Sequence, residues 1–133
     1  MQAQLQAIIG QFGADTGTIH MLEDAVLVLK AHAGLAPEVV QMFVKVPVGK
    51  GMAGLAAQRN APVSSCNIQV DRTGDVQPGA KRTGVGGAVA VPIRDRVGRA
   101  VGVLGIGVQR RHEYSDLEVA QLLERAAQFA HCL

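Results

Sequence analysis

Residues 86–108 read Gly-Gly-Ala-Val-Ala-Val-Pro-Ile-Arg-Asp-Arg-Val-Gly-Arg-Ala-Val-Gly-Val-Leu-Gly-Ile-Gly-Val, and their pattern decides the fold. Gly87–Ile93 is a nearly continuous apolar run that reads as a strong strand. Arg99–Val108 alternates Val101 and Val103 with Leu104 and Ile106, with glycines in the gaps. Asp95–Gly98 lies between them and supplies the polar and flexible residues of a hairpin turn. Two strands joined this tightly pair antiparallel, since a parallel pair needs a crossover of a dozen or more residues.

The same logic extends to both sides. Residues 16–32 form a second predicted hairpin with its turn at Glu23-Asp24, ended by Gly34. Residues 1–12 place Leu5, Ile8, Ile9 and Phe12 at helical spacing, and Gly13 closes that helix. Pro37 suits the first turn of a short helix reaching about Phe43. A short strand is expected at Val44–Val48, then a turn at Gly49-Lys50-Gly51. An Ala-rich helix follows over Met52–Arg59, with Asn60 as a left-handed C-cap and Pro62 beyond it. Another short strand is expected at 62–65.

Residues 66–85 show no period and are polar and turn-rich, so they predict a long loop. The last helix starts at Ser115, with Glu118 three residues on as a capping box and Tyr114 and Val119 placed for a hydrophobic staple. Its apolar face, from Val119 through Leu122, Leu123, Ala126, Phe129 and Ala130 to Leu133, predicts helix to the end of the sequence. Helices that interrupt hairpins without a regular strand–helix–strand alternation give an α+β fold with an antiparallel sheet.

With 133 residues, one domain spanning 1–133 is expected. Apolar residues make up 48% of the chain and aromatics 3%, so the core must be aliphatic. The net charge of +2 is scattered, with Arg110-Arg111 the densest pair. No basic run interleaved with aromatics points to nucleic acid. The apolar stretches are too short to span a bilayer, and the first residues do not form a secretion signal. Cys66 and Cys132 are far apart, with no metal-ligand spacing around either. A cytoplasmic location with free thiols is expected.

Six segments in this order resemble the GAF domain family: GADTGTIHML (13–22), LKAHAGL (29–35), VPVGKGMAGLAAQRNAPV (46–63), GGAVAVPIRD (86–95), GRAVGVLGIG (98–107) and EYSDLEVAQLLERAAQFA (113–130). The resemblance implies a sheet of five or six antiparallel strands, in a fold related to PAS domains. Terminal helices would cover one face and often dimerise. Short helices and the long loop would close a ligand pocket on the other. It also implies a regulatory module rather than an enzyme.

The loop 66–85 is the first place to look for a site, because long irregular segments in compact domains are usually functional. Its polar groups Cys66, Asn67, Gln69, Asp71 and Lys81 are the expected ligand contacts, with Asp75 and Arg82 adding charge. A small polar or anionic ligand is expected from these groups and from the scarcity of aromatic stacking partners. No cofactor is identifiable. The cyclic-nucleotide motif of some GAF domains is not matched, nor is a bilin attachment cysteine recognisable. One GAF subgroup reduces free methionine-R-sulfoxide with a nucleophilic and a resolving cysteine. Cys66 stands alone near the expected pocket, so that reading takes second place, beside a dimerisation scaffold without a ligand. Gly49-Lys50-Gly51 is read as a glycine turn rather than a phosphate loop, since the Walker spacing is missing. His20 and His32 fall on one face by alternation and are read as ordinary polar-face histidines rather than metal ligands.

Overall fold

The computed structural model describes residues 1–70, 81 and 83–132, the last two by their backbone alone. Helix α1 (Gln2–Phe12) leads into the hairpin of β1 (Thr16–Glu23) and β2 (Val26–Ala33). The short helix α2 (Pro37–Val40) runs into a 3-10 turn at Gln41–Phe43, then β3 (Lys45–Pro47). Helix α3 (Gly51–Arg59) precedes β4 (Val63–Ser65) and a 3-10 turn at Ile68–Val70. The second hairpin joins β5 (Ala88–Arg94) to β6 (Ala100–Gly107), and α4 (Asp116–Ala126) continues into 3-10 helix over Ala127–Cys132. The expected loop therefore carries a 3-10 turn near its start, while residues 71–80 and 82 lie outside the described ones. The last helix also departs from expectation by tightening at Ala127. There the Gln128 amide donates to the Arg125 carbonyl at 2.9 Å, taking up an acceptor near the helix end.

The strands form one six-stranded antiparallel sheet in the order β3-β2-β1-β6-β5-β4. On one face α1 and α4 bury Leu5, Ile8, Leu122 and Ala126, with Phe129 just beyond, against Ile19, Val89, Val91, Ile93 and Leu104. On the other face α3 packs Ala56 against Leu27, Val63, Ala90 and Val103. Strand β5 lies between β6 and β4 and is covered on both sides, which is why it reads as an unbroken apolar run.

Two local devices set the geometry of the second face. The β1–β2 register jumps from Ile19↔Ala31 to His20↔Leu29, so Lys30 is a bulge residue. Its ammonium turns to Glu23 at 2.8 Å and does not share the surroundings of His20. Asn60 takes the left-handed conformation at the end of α3, with φ of 50°. Its side chain then links the end of β5 to the hairpin turn, accepting from Arg94 Nε at 2.8 Å and donating to the Gly98 carbonyl at 2.7 Å. Helix α3 is thus tied at its C-terminal end to the β5–β6 hairpin. Its N-terminal end is tied to the turn after β3, where the Gly49 N–H donates to the Gly54 carbonyl at 2.8 Å and the Lys50 N–H to the Pro47 carbonyl at 3.1 Å.

Candidate functional site

A cavity of about 390 Å³ lies on the α3 face of the sheet. Its floor is the backbone and small side chains of β1, β5 and β6, including Thr16, Thr18, Ala88, Ala90, Gly105 and Gly107. Its walls are Met42 and Phe43 of the 3-10 turn, Val46 and Pro47 of β3, Met52 and Ala53 at the start of α3, and Ile68, Thr83 and Val85. Lys45 and Lys50 also line it. A concave, mostly apolar chamber with a few polar groups is the form that small-molecule sites take.

The space arises from residue size. Across the β1–β6 ladder Thr16 faces Gly107 and Thr18 faces Gly105. A Cβ added at Gly105 would come within 3.1 Å of the Thr18 hydroxyl, and one at Gly107 within 2.9 Å of that of Thr16. Gly105 therefore leaves room beside the Thr18 hydroxyl on the floor, while at Gly107 the Val85 side chain takes up part of that room. Strand alternation puts His20 next in the same row.

His20 is only 2% exposed. Its Nε2 sits 2.8 Å from the Phe43 carbonyl, which can only accept, so Nε2 carries the proton. Its Nδ1 is buried without a partner among the described residues. Burial pushes its pKa below the ordinary imidazole value, and the Phe43 bond offsets only part of that. Neutral His20 therefore keeps at Nδ1 a lone pair that is closed off and unpaired among the described residues. The expected polar-face histidine is in fact a buried wall residue, while His32 is exposed.

The turn at Gly49-Lys50-Gly51 needs its glycines, since Gly49 and Gly51 have φ of 91° and 66°. It also brings Lys50 and the first residues of α3 to the cavity. Among the described residues no carboxylate pairs with Lys45 or Lys50.

Of the residues singled out from the loop, the described ones, Cys66, Asn67, Gln69 and Lys81, are not among the chamber's lining residues. Cys66 is exposed, and its carbonyl accepts from the His112 N–H at 2.9 Å. Asn67 Oδ1 accepts from the Gln69 N–H at 3.1 Å. Gln69 Nε2 donates to the carbonyls of Lys81 at 3.0 Å and Val85 at 2.9 Å. Lys81 is exposed, and Asp71 lies outside the described residues. Asn67 and Gln69 thus shape the segment that brings Ile68 to the cavity wall. The lining residues Thr16, Thr18, His20, Lys45 and Lys50 were not among the expected contacts. The legible signal was the alternation of β1 opposite the glycines of β6.

A second polar cluster sits away from the chamber. His112 Nε2 approaches Glu118 Oε2 at 3.1 Å, and its ring meets that of Tyr114 edge-on with centroids 4.5 Å apart. The Ser115 N–H, then the His112 contact, hold the Glu118 carboxyl below its ordinary pKa against some desolvation. Burial first, then the Glu118 charge, pushes the Tyr114 phenol up to about 12. This cluster anchors the start of α4. Among the described residues no group of His, Cys, Asp and Glu is arranged to hold a metal. No helix among them is long and apolar enough to cross a membrane.

Comparison with solved structures returns the same architecture. A type II free methionine-R-sulfoxide reductase from Thermoplasma acidophilum superposes with a TM-score of 0.80 at 22% identity, covering 98% of this chain and 87% of that one. The GAF domain of an Acinetobacter phosphoenolpyruvate-protein phosphotransferase gives a TM-score of 0.75 at 23% identity, over 96% of this chain and 75% of that one. Free methionine-R-sulfoxide reductase from Neisseria meningitidis, solved with its substrate, gives 0.78 at 20% identity, over 97% and 72%. No curated protein sequence matches the chain. The family model for the GAF domain matches residues 1–133. With the antiparallel six-stranded sheet between terminal helices and short helices already established, this match shows that the chain belongs to the GAF domain family.

Proposed function

We propose that this GAF domain is a non-catalytic sensor that binds a small molecule in the chamber between the sheet and α3. The observation that carries this reading is the chamber itself. At about 390 Å³ it is within the range of small-ligand sites, and its apolar walls enclose a few placed polar groups. Lys45 and Lys50 support an anionic or polar group on the ligand, since both line the cavity with no carboxylate beside them among the described residues. The signal would pass through the elements that hold the walls, above all the start of α3 and the Gln41–Phe43 turn. The exposed Cys66 lies outside the lining, so a thiol attack on a molecule in the chamber is not favoured by its position.

Native mass spectrometry of the protein purified from its own host tests the reading. A co-purified small molecule is expected, and its return to stripped protein should slow hydrogen exchange in β1, residues 42–53 and residues 66–70. A bound molecule that protects only α1 and α4 would put the site on the other face of the sheet.

A further inference from the structure

Strands β1 and β6 lie in the middle of the sheet, yet Thr18 and Gly105, which face each other across their ladder, both keep partial exposure. Their neighbours Ile19, Leu104 and Ile106 are buried. Gly105 pairs on its other side with Ala90, which packs with Ala56 of α3. Residues directly opposite in a ladder share a face, so Thr18 and Gly105 are open toward the chamber. A Cβ built on Gly105 would meet the Thr18 hydroxyl at 3.1 Å and nothing else nearer than 3.8 Å. Thr16 is different, because Val85 Cγ1 stands only 2.6 Å from where a Gly107 Cβ would be. His20, next in the row, has its Nε2 proton committed to the Phe43 carbonyl. The Thr18 hydroxyl makes no hydrogen bond among the described residues. It is not closed off either, since the buried unpaired side-chain atoms among them are His20 Nδ1 and Tyr114 Oη.

We propose that Thr18, with the space left by Gly105, is the specificity-determining residue of the chamber, its hydroxyl taking one hydrogen bond from a neutral polar group on a compact, mostly apolar ligand. This rests on the sensor reading of the same chamber and adds the chemistry of the ligand's inner end. A hydroxyl both donates and accepts, so it suits a carbonyl, a hydroxyl or a ring nitrogen. A charge brought to this place would lose water and find no partner of opposite sign, because Ala88, Ala90 and Gly105 surround Thr18 on the floor and no carboxylate lines the chamber among the described residues. The charged lining residues, Lys45 and Lys50, are themselves exposed.

The test uses phenol and toluene, which match in shape and differ in the hydroxyl. Each is titrated into the protein, with the amide signals of Thr18 and Gly105 reporting binding at the floor. The ratio of phenol to toluene affinity cancels most of the difference in their hydration when two variants are compared. It should fall about fivefold from wild type to Thr18→Val, the usual net worth of one neutral hydrogen bond, and be kept in Thr18→Ser. Thr18→Ala gives the same comparison if Thr18→Val does not fold. An unchanged ratio, with the floor signals still shifting, would remove Thr18 as the selector and leave the chamber as a ligand site. Benzoate moving the floor signals at the same concentration as phenol would overturn the demand for a neutral inner end. Binding of neither phenol nor toluene would overturn the inference. The sensor reading is judged apart from it, by whether a molecule that co-purifies with the protein protects residues 42–53 from hydrogen exchange.

Discussion

His20 shows how one residue couples site and stability. Its pKa in the folded protein is lowered by burial, so the unfolded chain takes up a proton first as pH falls. The contribution is fully present above the ordinary imidazole value of about 6.5 and is lost as pH falls toward the lowered folded value. The other charged groups that line the chamber are Lys45 and Lys50. Thermal midpoints should therefore fall between about pH 7 and about pH 5 in the wild-type protein, and fall less in His20→Gln, which keeps a donor for Phe43 and does not titrate. Identical pH profiles would show that His20 is not buried as a neutral ring. Cys66 makes the opposite case. Its thiol is exposed and outside the chamber, and reduction of a sulfoxide leaves a sulfenic acid that a second thiol must resolve. We expect no turnover of free methionine-R-sulfoxide with a thioredoxin system, and a sustained rate abolished by Cys66→Ser would overturn both this and the sensor reading.

Among the elements, α4 was the most legible. The Ser115 side chain accepts from the Glu118 N–H at 3.1 Å, and the Glu118 carboxylate accepts in return from the Ser115 N–H at 3.0 Å. Ser115→Ala removes one side of this box and should cost about 1 kcal/mol. That corresponds to a fall of a few degrees in the thermal midpoint by calorimetry. An unchanged midpoint would mean that α4 is held by its packing alone. The strands were legible too, because their periods are local. Their ends moved by a residue or two, as ladder pairing rather than composition sets where a strand stops. The bulge at Lys30 was not legible, since a register jump depends on the partner strand. The tightening after Ala126 was missed for a related reason. Apolar spacing marks which face is buried and does not distinguish α from 3-10 winding over a few residues.

At the scale of the whole molecule, α1 and α4 spend their apolar faces on the sheet, burying Leu5, Ile8, Leu122 and Ala126. The expectation of a homodimer through these helices therefore turns on their outer surface, where Leu117 is 67% exposed. We expect size-exclusion chromatography with light scattering to give a dimer that Leu117→Asp weakens. A strict monomer at high concentration would remove the helices as an interface. Fold class, the two hairpins, the helix caps and the family resemblance all followed from residues close together in sequence, because periods of about 2 and 3.6 residues and capping chemistry act over short range. The chamber did not. It exists because β1 hydroxyls lie across from β6 glycines, because the Phe43 carbonyl reaches an imidazole more than a turn of chain away, and because Asn67 and Gln69 fold their polar groups back onto the backbone. Polarity alone marked the loop as the place for a ligand. Only the tertiary structure decided which polar groups are already satisfied by the protein and which, like His20 Nδ1, are buried without a partner among the described residues.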